Sequence, residues 1–165
     1  VNAEGPECAG RDLAALSDRR LWYAEDLGVG DWMDLGTVSI SQAEITAFAH
    51  RFDPLPIHLD PTNRQFGGVV ASGIHTMALY ASLASRQFLP RLALLAGKGL
   101  DRLRLPNPVR PGAVLTGWVG IDDVVMGRGR ADIHSRSTLV DAHGNVVLSF
   151  VGIQVVARRG HPVRR

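Results

Sequence analysis

One long helix-forming run, ended by a proline and succeeded almost entirely by strand-like sequence, limits the folds open to this chain. From Ile74 to about Phe88 the apolar positions Ile74, Met77, Ala78, Ala81, Ala84 and Phe88 recur near a 3.6-residue period. Leu79, Tyr80 and Leu83 fall on the other side, so the helix is apolar nearly all round and is expected to be buried. At ~1.5 Å per residue it is roughly 22 Å long, about the width of a small sheet. Pro90 closes it. The remainder of the chain reads as β: Gly99–Leu105, Ala113–Val125, Arg130–Val140 and Val146–Val156. The last run is nearly continuous in apolar residues and is expected to be a central strand. Gly117 and Gly120 are candidate bulges, and Asp141–Asn145 reads as a hairpin loop. One buried helix with long antiparallel strands is an α+β layout.

Upstream, Gly28 and Gly30 mark a turn, and Trp32–Ile40 alternates in the manner of a strand. Ser41 with Glu44 three positions on forms a capping box, which starts a helix over Gln42–Arg51 with Ile45, Phe48 and Ala49 on one face. Residues 1–20 read as a flexible leader with a short amphipathic helix near Arg11–Arg20. Residues 21–157 read as one domain, and 158–165 as a solvated basic tail.

Between the two helices lies Asp53-Pro54-Leu55-Pro56-Ile57-His58-Leu59-Asp60. On a helix, Asp53 and His58 would stand about 140° apart. Each proline lacks an N–H and biases its predecessor towards extended geometry, so a stiff irregular loop is expected. Such a loop can aim both side chains into one space, where a carboxylate and an imidazole facing one water are suited to proton transfer. The plain alternative is turn chemistry with a structural His.

Composition narrows the classes. Apolar residues make up 45% of the 165, enough for a core, and no run of eighteen apolar residues suggests a membrane span. The single cysteine, Cys8, rules out a disulfide framework and fits a cytoplasmic setting. The net charge of +2 is concentrated in Arg158, Arg159, Arg164 and Arg165, with no nucleic-acid motif beside them. There is no Gly-x-Gly-x-x-Gly and no Gly-x-Ser-x-Gly, and His134 and His143 lack metal-site spacing, so neither cofactor nor metal is expected.

The block Asp53, Pro56, Ile57, His58 and Asp60 resembles the signature Gly-Asp-x-Asn-Pro-hydrophobic-His-x-Asp of MaoC-like dehydratases, the (R)-specific enoyl-CoA hydratase family. Phe52 stands at the usual Gly and Leu55 at the usual Asn. Tyr23–Gly30 is similar to the opening of such domains. Gly68–Thr76 resembles the family's Val-x-His-Gly-Met, with Ser72 for His and Gly73 at the Gly. Gly99–Arg104 with Pro108–Gly112 is a third similar block.

The resemblance implies a hotdog fold, a curved sheet wrapped around one helix, in at least a homodimer. It implies a hydro-lyase of fatty acid metabolism acting on trans-2-enoyl thioesters of CoA or acyl carrier protein. Asp53 and His58 would be catalytic. Gly73, Ser72 and His75 would line the oxyanion and substrate site, since helix N-terminal amides are unpaired and electropositive. Two alternatives stay open: a hotdog acyl-CoA thioesterase, and an acyl-thioester binder without chemistry.

Overall fold

The computed structural model describes residues 9–16 and 21–161. Its frame is a five-stranded antiparallel sheet of β1 (Trp32–Ser39), β2 (Leu94–Arg104), β3 (Val114–Met126), β4 (Arg130–Asp141) and β5 (Val146–Ala157), in the order β1-β3-β4-β5-β2. Among the described residues three α-helices precede β2: α1 (Gln42–Phe52), the four-residue α2 (Pro56–Leu59) and the long α3 (Gly73–Gln87). This is the hotdog arrangement. The capping box forms: Ser41 Oγ accepts the Glu44 N–H at 3.2 Å, and Glu44 Oε2 accepts the Ser41 N–H at 2.7 Å.

The core lies between α3 and the concave side of the sheet. Tyr80, Leu83 and Ala84 of α3 share one apolar cluster with Leu35, Leu115, Leu139 and Leu148 of the strands. Gly117 serves this packing rather than a bulge. A Cβ there would lie 2.8 Å from Leu83 Cδ1, so the missing side chain lets the helix sit close to β3. The register shifts fall instead between Asp34 and Gly36 and between Ile121 and Asp123. The expectation of a helix buried all round is corrected too. Ile74, Ala78 and Ala81 face outward, because a single sheet covers a single face.

Strand β2 begins five residues earlier than its sequence suggests. Gly97 and Gly99 mask it, since glycine weakens the strand pattern. Pairing with β5 holds it all the same, with skips between Leu94 and Ala96, Gly97 and Gly99, and Asp101 and Arg104. Strand β5 is an interior strand, as its apolar run implies.

Both ends of the described chain are more firmly attached than their composition suggests. Leu13 is fully buried, and the Trp32 N–H donates to the Arg11 carbonyl at 3.0 Å. The buried Asp31 carboxylate accepts from Arg11 N (3.1 Å), Arg11 Nε (3.0 Å) and Gly28 N (2.8 Å). Burial alone would raise the Asp31 carboxyl, but these bonds outweigh it and hold it below the usual carboxylate range. Within residues 9–16, Leu13 and Arg11 thus tie the segment expected to be a flexible leader to the rest of the fold. At the other end Arg158 Nε donates to Glu25 Oε1 at 2.9 Å, and Arg159 pairs with Asp26. The expected basic tail is therefore anchored at its first two residues. Cys8 and residues 162–165 lie outside the described residues.

The Arg158 side-chain bond and the Arg159 backbone bond lower the Glu25 carboxyl from 4.5 to about 2. A depressed carboxylate contributes stability above its unfolded pKa and loses it as pH falls through the folded one. Glu25→Gln is therefore expected to melt below wild type at pH 6, with the gap closing between pH 4.5 and about 2. Thermal melts across that range check it, and a gap that stays constant down to pH 2 contradicts it.

Candidate active site

The site is built where three helix ends meet. Helix α1 stops at Phe52, and Asp53 is its C-cap, with its N–H on the Ala49 carbonyl at 2.9 Å. Phe52 needs no glycine-like backbone because it is still helical; among the described residues the one non-glycine with positive φ is Arg102. The expected irregular loop shrinks to Pro54 and Leu55, because α2 starts at Pro56. Proline is tolerated at the first helical position, where its missing N–H would have no partner anyway. That turn of helix carries His58 inward, 5% exposed.

His58 and Asp53 meet. His58 Nε2 lies 3.3 Å from Asp53 Oδ2. On the far side of the ring, His58 Nδ1 is 2.7 Å from the Val70 carbonyl. A carbonyl can only accept, so Nδ1 carries a proton and Nε2 is the nitrogen left to exchange one. The Val70 N–H donates to the Ile57 carbonyl at 3.2 Å, which ties the same two segments from the other direction.

Ser72 joins the pair to α3. It is the helix N-cap: its Oγ accepts the Ile74 N–H at 3.2 Å and donates to Asp53 Oδ2 at 2.7 Å. One hydroxyl thus caps a helix and orients a carboxylate. Gly73 opens α3, and among the described residues its N–H meets no acceptor. Its open side is occupied, since a Cβ there would lie 2.5 Å from Leu105 Cδ1. His75 is in the first turn of α3. It makes no hydrogen bond to Asp53 or His58; its ring stacks on Phe48, with centroids 4.3 Å apart and planes 11° apart.

The other histidine of this region, His50 on α1, is exposed. Asp60 is the C-cap of α2, and its carboxylate is occupied by the Thr62 N–H and hydroxyl at 2.8 and 2.7 Å, a turn-forming role. Among the described residues no group of three or more His, Cys, Asp or Glu is arranged to hold a metal. A concavity of about 590 Å³ lies elsewhere: Val109, Arg110, Val114, His143 and Asn145 are on its wall, and Asp53 and His58 are not. Of the pair, His58 is buried and Asp53 is partly exposed, and the neighbouring apolar side chains of Phe52, Leu55 and Ile74 are exposed.

Leu55 shows what its position costs. It is the N-cap of α2 and makes no side-chain cap. Asparagine there could accept from an amide of the first turn, and a good cap is worth about 0.5–2 kcal/mol. Because Leu55 is half exposed, its removal empties no core. Leu55→Asn is expected to raise stability by about 0.5–1 kcal/mol, measured by urea unfolding. A loss of stability would show that α2 is held by Leu55 packing instead.

Comparison with known proteins agrees with this architecture. The pattern of the MaoC like domain matches residues 30–143. Nodulation protein N of Rhizobium meliloti (strain 1021) is 31% identical over 121 residues, which are 66% of this chain and 69% of that protein. The crystal structure of a MaoC-like dehydratase from Rhodospirillum rubrum superposes with a TM-score of 0.77 at 36% identity, covering 84% of this chain and 98% of that one. An (R)-hydratase from A. caviae involved in PHA biosynthesis superposes with a TM-score of 0.61 at 25% identity, over 81% of this chain and 98% of that one. A domain pattern spanning more than half the sequence and the matching fold lead to one conclusion: this chain belongs to the MaoC-like domain family.

Proposed function

We propose that this protein hydrates trans-2-enoyl thioesters to (R)-3-hydroxyacyl thioesters and catalyses the reverse dehydration. The observation that carries the reading is the Asp53–His58 pair, 3.3 Å apart, with each partner fixed by a second bond, to Ser72 and to the Val70 carbonyl. The A. caviae (R)-hydratase, similar over most of both chains, supports it.

The enoyl carbonyl polarises the double bond, so C3 is the electrophile. A water held between Asp53 and His58 adds its oxygen to C3 and gives its proton to the dyad. A proton from the dyad goes to C2 on the same face. Charge grows on the thioester oxygen meanwhile, and the unpaired Gly73 N–H at the positive end of α3 is the donor to meet it. Fixed dipoles of this kind need no reorganisation as the charge develops. Ser72 holds Asp53 rather than touching the substrate, and no step calls for a metal or cofactor. CoA and acyl carrier protein thioesters both fit this reaction, which suits a role in fatty acid metabolism in a cytoplasmic setting.

We also assign the working unit as at least a homodimer. Phe52, Leu55 and Ile74 are 52–62% exposed around the dyad, and a second copy laid over them would exclude water from the site. Light scattering at micromolar concentration tests this, and an active monomer would refute it.

Crotonyl-CoA is the first substrate to try. Loss of enoyl absorbance with an (R)-3-hydroxy product supports hydration. Release of free thiol would mark a thioesterase, and binding without turnover a non-catalytic relative. An (S) product would reject the assigned chemistry.

A further inference from the structure

The His75 imidazole takes no part in the mechanism above, yet it is 9% exposed in the first turn of α3, three residues from Ser72. Its Nδ1 is buried and has no hydrogen-bond partner. With no acceptor at Nδ1, the neutral tautomer with its proton on Nε2 is the one that leaves no orphaned buried N–H. Protonating the ring would then put an N–H at Nδ1, where nothing accepts it. Burial accordingly pushes the imidazole below its usual range, with the Glu44 carboxylate of α1 pulling the other way. The electropositive start of α3 disfavours the cation as well. His75 is a flat, neutral ring at working pH.

That ring lies face to face with Phe48 of α1. Phe48 in turn packs against Phe52, at 4.9 Å and 47°, and Arg51 covers the outer face of Phe52 at 4.9 Å. The row runs from the first turn of α3 to the last residue of α1. The next residue is Asp53. The Asp53–Ser72 hydrogen bond and the Phe48–His75 stack both join the end of α1 to the start of α3. The buried Ile45 and Ala49 seat α1, and the stack, about one and a half turns back from Asp53, limits rotation of the helix end about the hydrogen bond.

We propose that His75 is a positioning residue. Stacked on Phe48, it fixes the end of α1 against the start of α3 and so holds Asp53 in register with Ser72 and His58. The proposal rests on the hydration reading for its kinetic consequence, though not for its structural one. What it requires at position 75 is a flat apolar face, not hydrogen-bonding capacity.

The test compares His75→Ala, His75→Gln and His75→Phe in the full chain. Displacing a reacting group by about 1 Å can cost on the order of 10²-fold. His75→Ala and His75→Gln are expected to lower kcat for crotonyl-CoA hydration by about ten- to a hundredfold with KM little changed. His75→Phe, which restores the stack, is expected to recover most of that loss. Phe48→Leu, which removes the stack from the other side, should match His75→Ala. Ring ¹⁵N spectra of His58 give a second readout that needs no activity: its Nε2 signal should move in the Ala and Gln variants and return in Phe. If His75→Gln works as well as His75→Phe, or if His75→Ala leaves kcat and the His58 signal unchanged, the proposal is wrong. A wild type inactive on every enoyl thioester would overturn the functional reading alone, and the His58 spectra would still decide the positioning role.

Discussion

His58→Ala is expected to lower kcat for enoyl-thioester hydration by about 10²–10⁴-fold, the usual contribution of a positioned acid–base group. That corresponds to about 3–5 kcal/mol of barrier. Asp53→Asn should cost a similar factor, because an amide cannot exchange a proton with Nε2 yet can still accept the Ser72 hydroxyl. KM should change less in both, since the lost interactions act mainly in the transition state. The two losses should not add. Both groups serve one water, so the double variant is expected to be little worse than either single one. His50→Ala, on the exposed side of α1, should stay near wild type. Stability must be followed alongside, because His58→Ala leaves the Val70 carbonyl without its donor. An unpaired buried acceptor costs about 1–3 kcal/mol. Asp53→Asn carries less of that burden and is the cleaner kinetic probe. A folded His58→Ala protein with full activity would remove the dyad from the mechanism.

Much of this site is legible in the sequence, for physical reasons that differ by residue. Ser41 and Glu44 announce a helix start because a capping box works within one turn, needing no tertiary partner. Asp53 and His58 are readable as a pair, since two prolines leave few ways to lay out the chain between them. The same prolines conceal α2. One of them opens a helix, and the lone turn beyond it is held by the packing of His58 and its bond to Val70. That bond has no signature at all, because any residue supplies a backbone carbonyl. Leu13 and Asp31 escape a sequence reading for a related reason. They are ordinary residues whose burial depends on the whole sheet being present, although a lone Asp after Gly28 and Gly30 hints at a turn anchor. The partnership of Phe48 with His75 joins α1 to α3, and nothing in local periodicity could pair them.

Tyr80 is expected to be the most costly of the helix-to-sheet contacts to remove. It stands on the buried face of α3, about two turns after Gly73, and is 4% exposed. Its hydroxyl donates to Ser137 Oγ of β4 at 2.8 Å and lies 3.3 Å from the Trp118 carbonyl of β3. Its ring meets Phe150 of β5 edge-on at 5.1 Å. One side chain thus pins the helix to three neighbouring strands. Burial drives its phenol well above the usual range, against a smaller pull from the Ser137 bond, so it remains a neutral donor in any ordinary buffer. Tyr80→Ala should destabilise the fold by about 3–5 kcal/mol through the cavity it leaves. Tyr80→Phe keeps the ring and loses the hydroxyl bond, for about 1–2 kcal/mol. For a chain of this size that is a melting shift of about 2–8 °C. Because the folded phenol stays neutral and an unfolded tyrosine ionises only near 10, the gap between wild type and Tyr80→Phe should be flat from pH 6 to about 9 and shrink above that. Urea unfolding gives the energies, and melts across that pH range give the slope. If Tyr80→Phe matches wild type, the Ser137 bond contributes nothing net and the helix is held by apolar packing alone. If Tyr80→Ala costs no more than Tyr80→Phe, the ring is not the pin, and the placement of the Gly73 amide must depend on Leu83 and Ala84 instead.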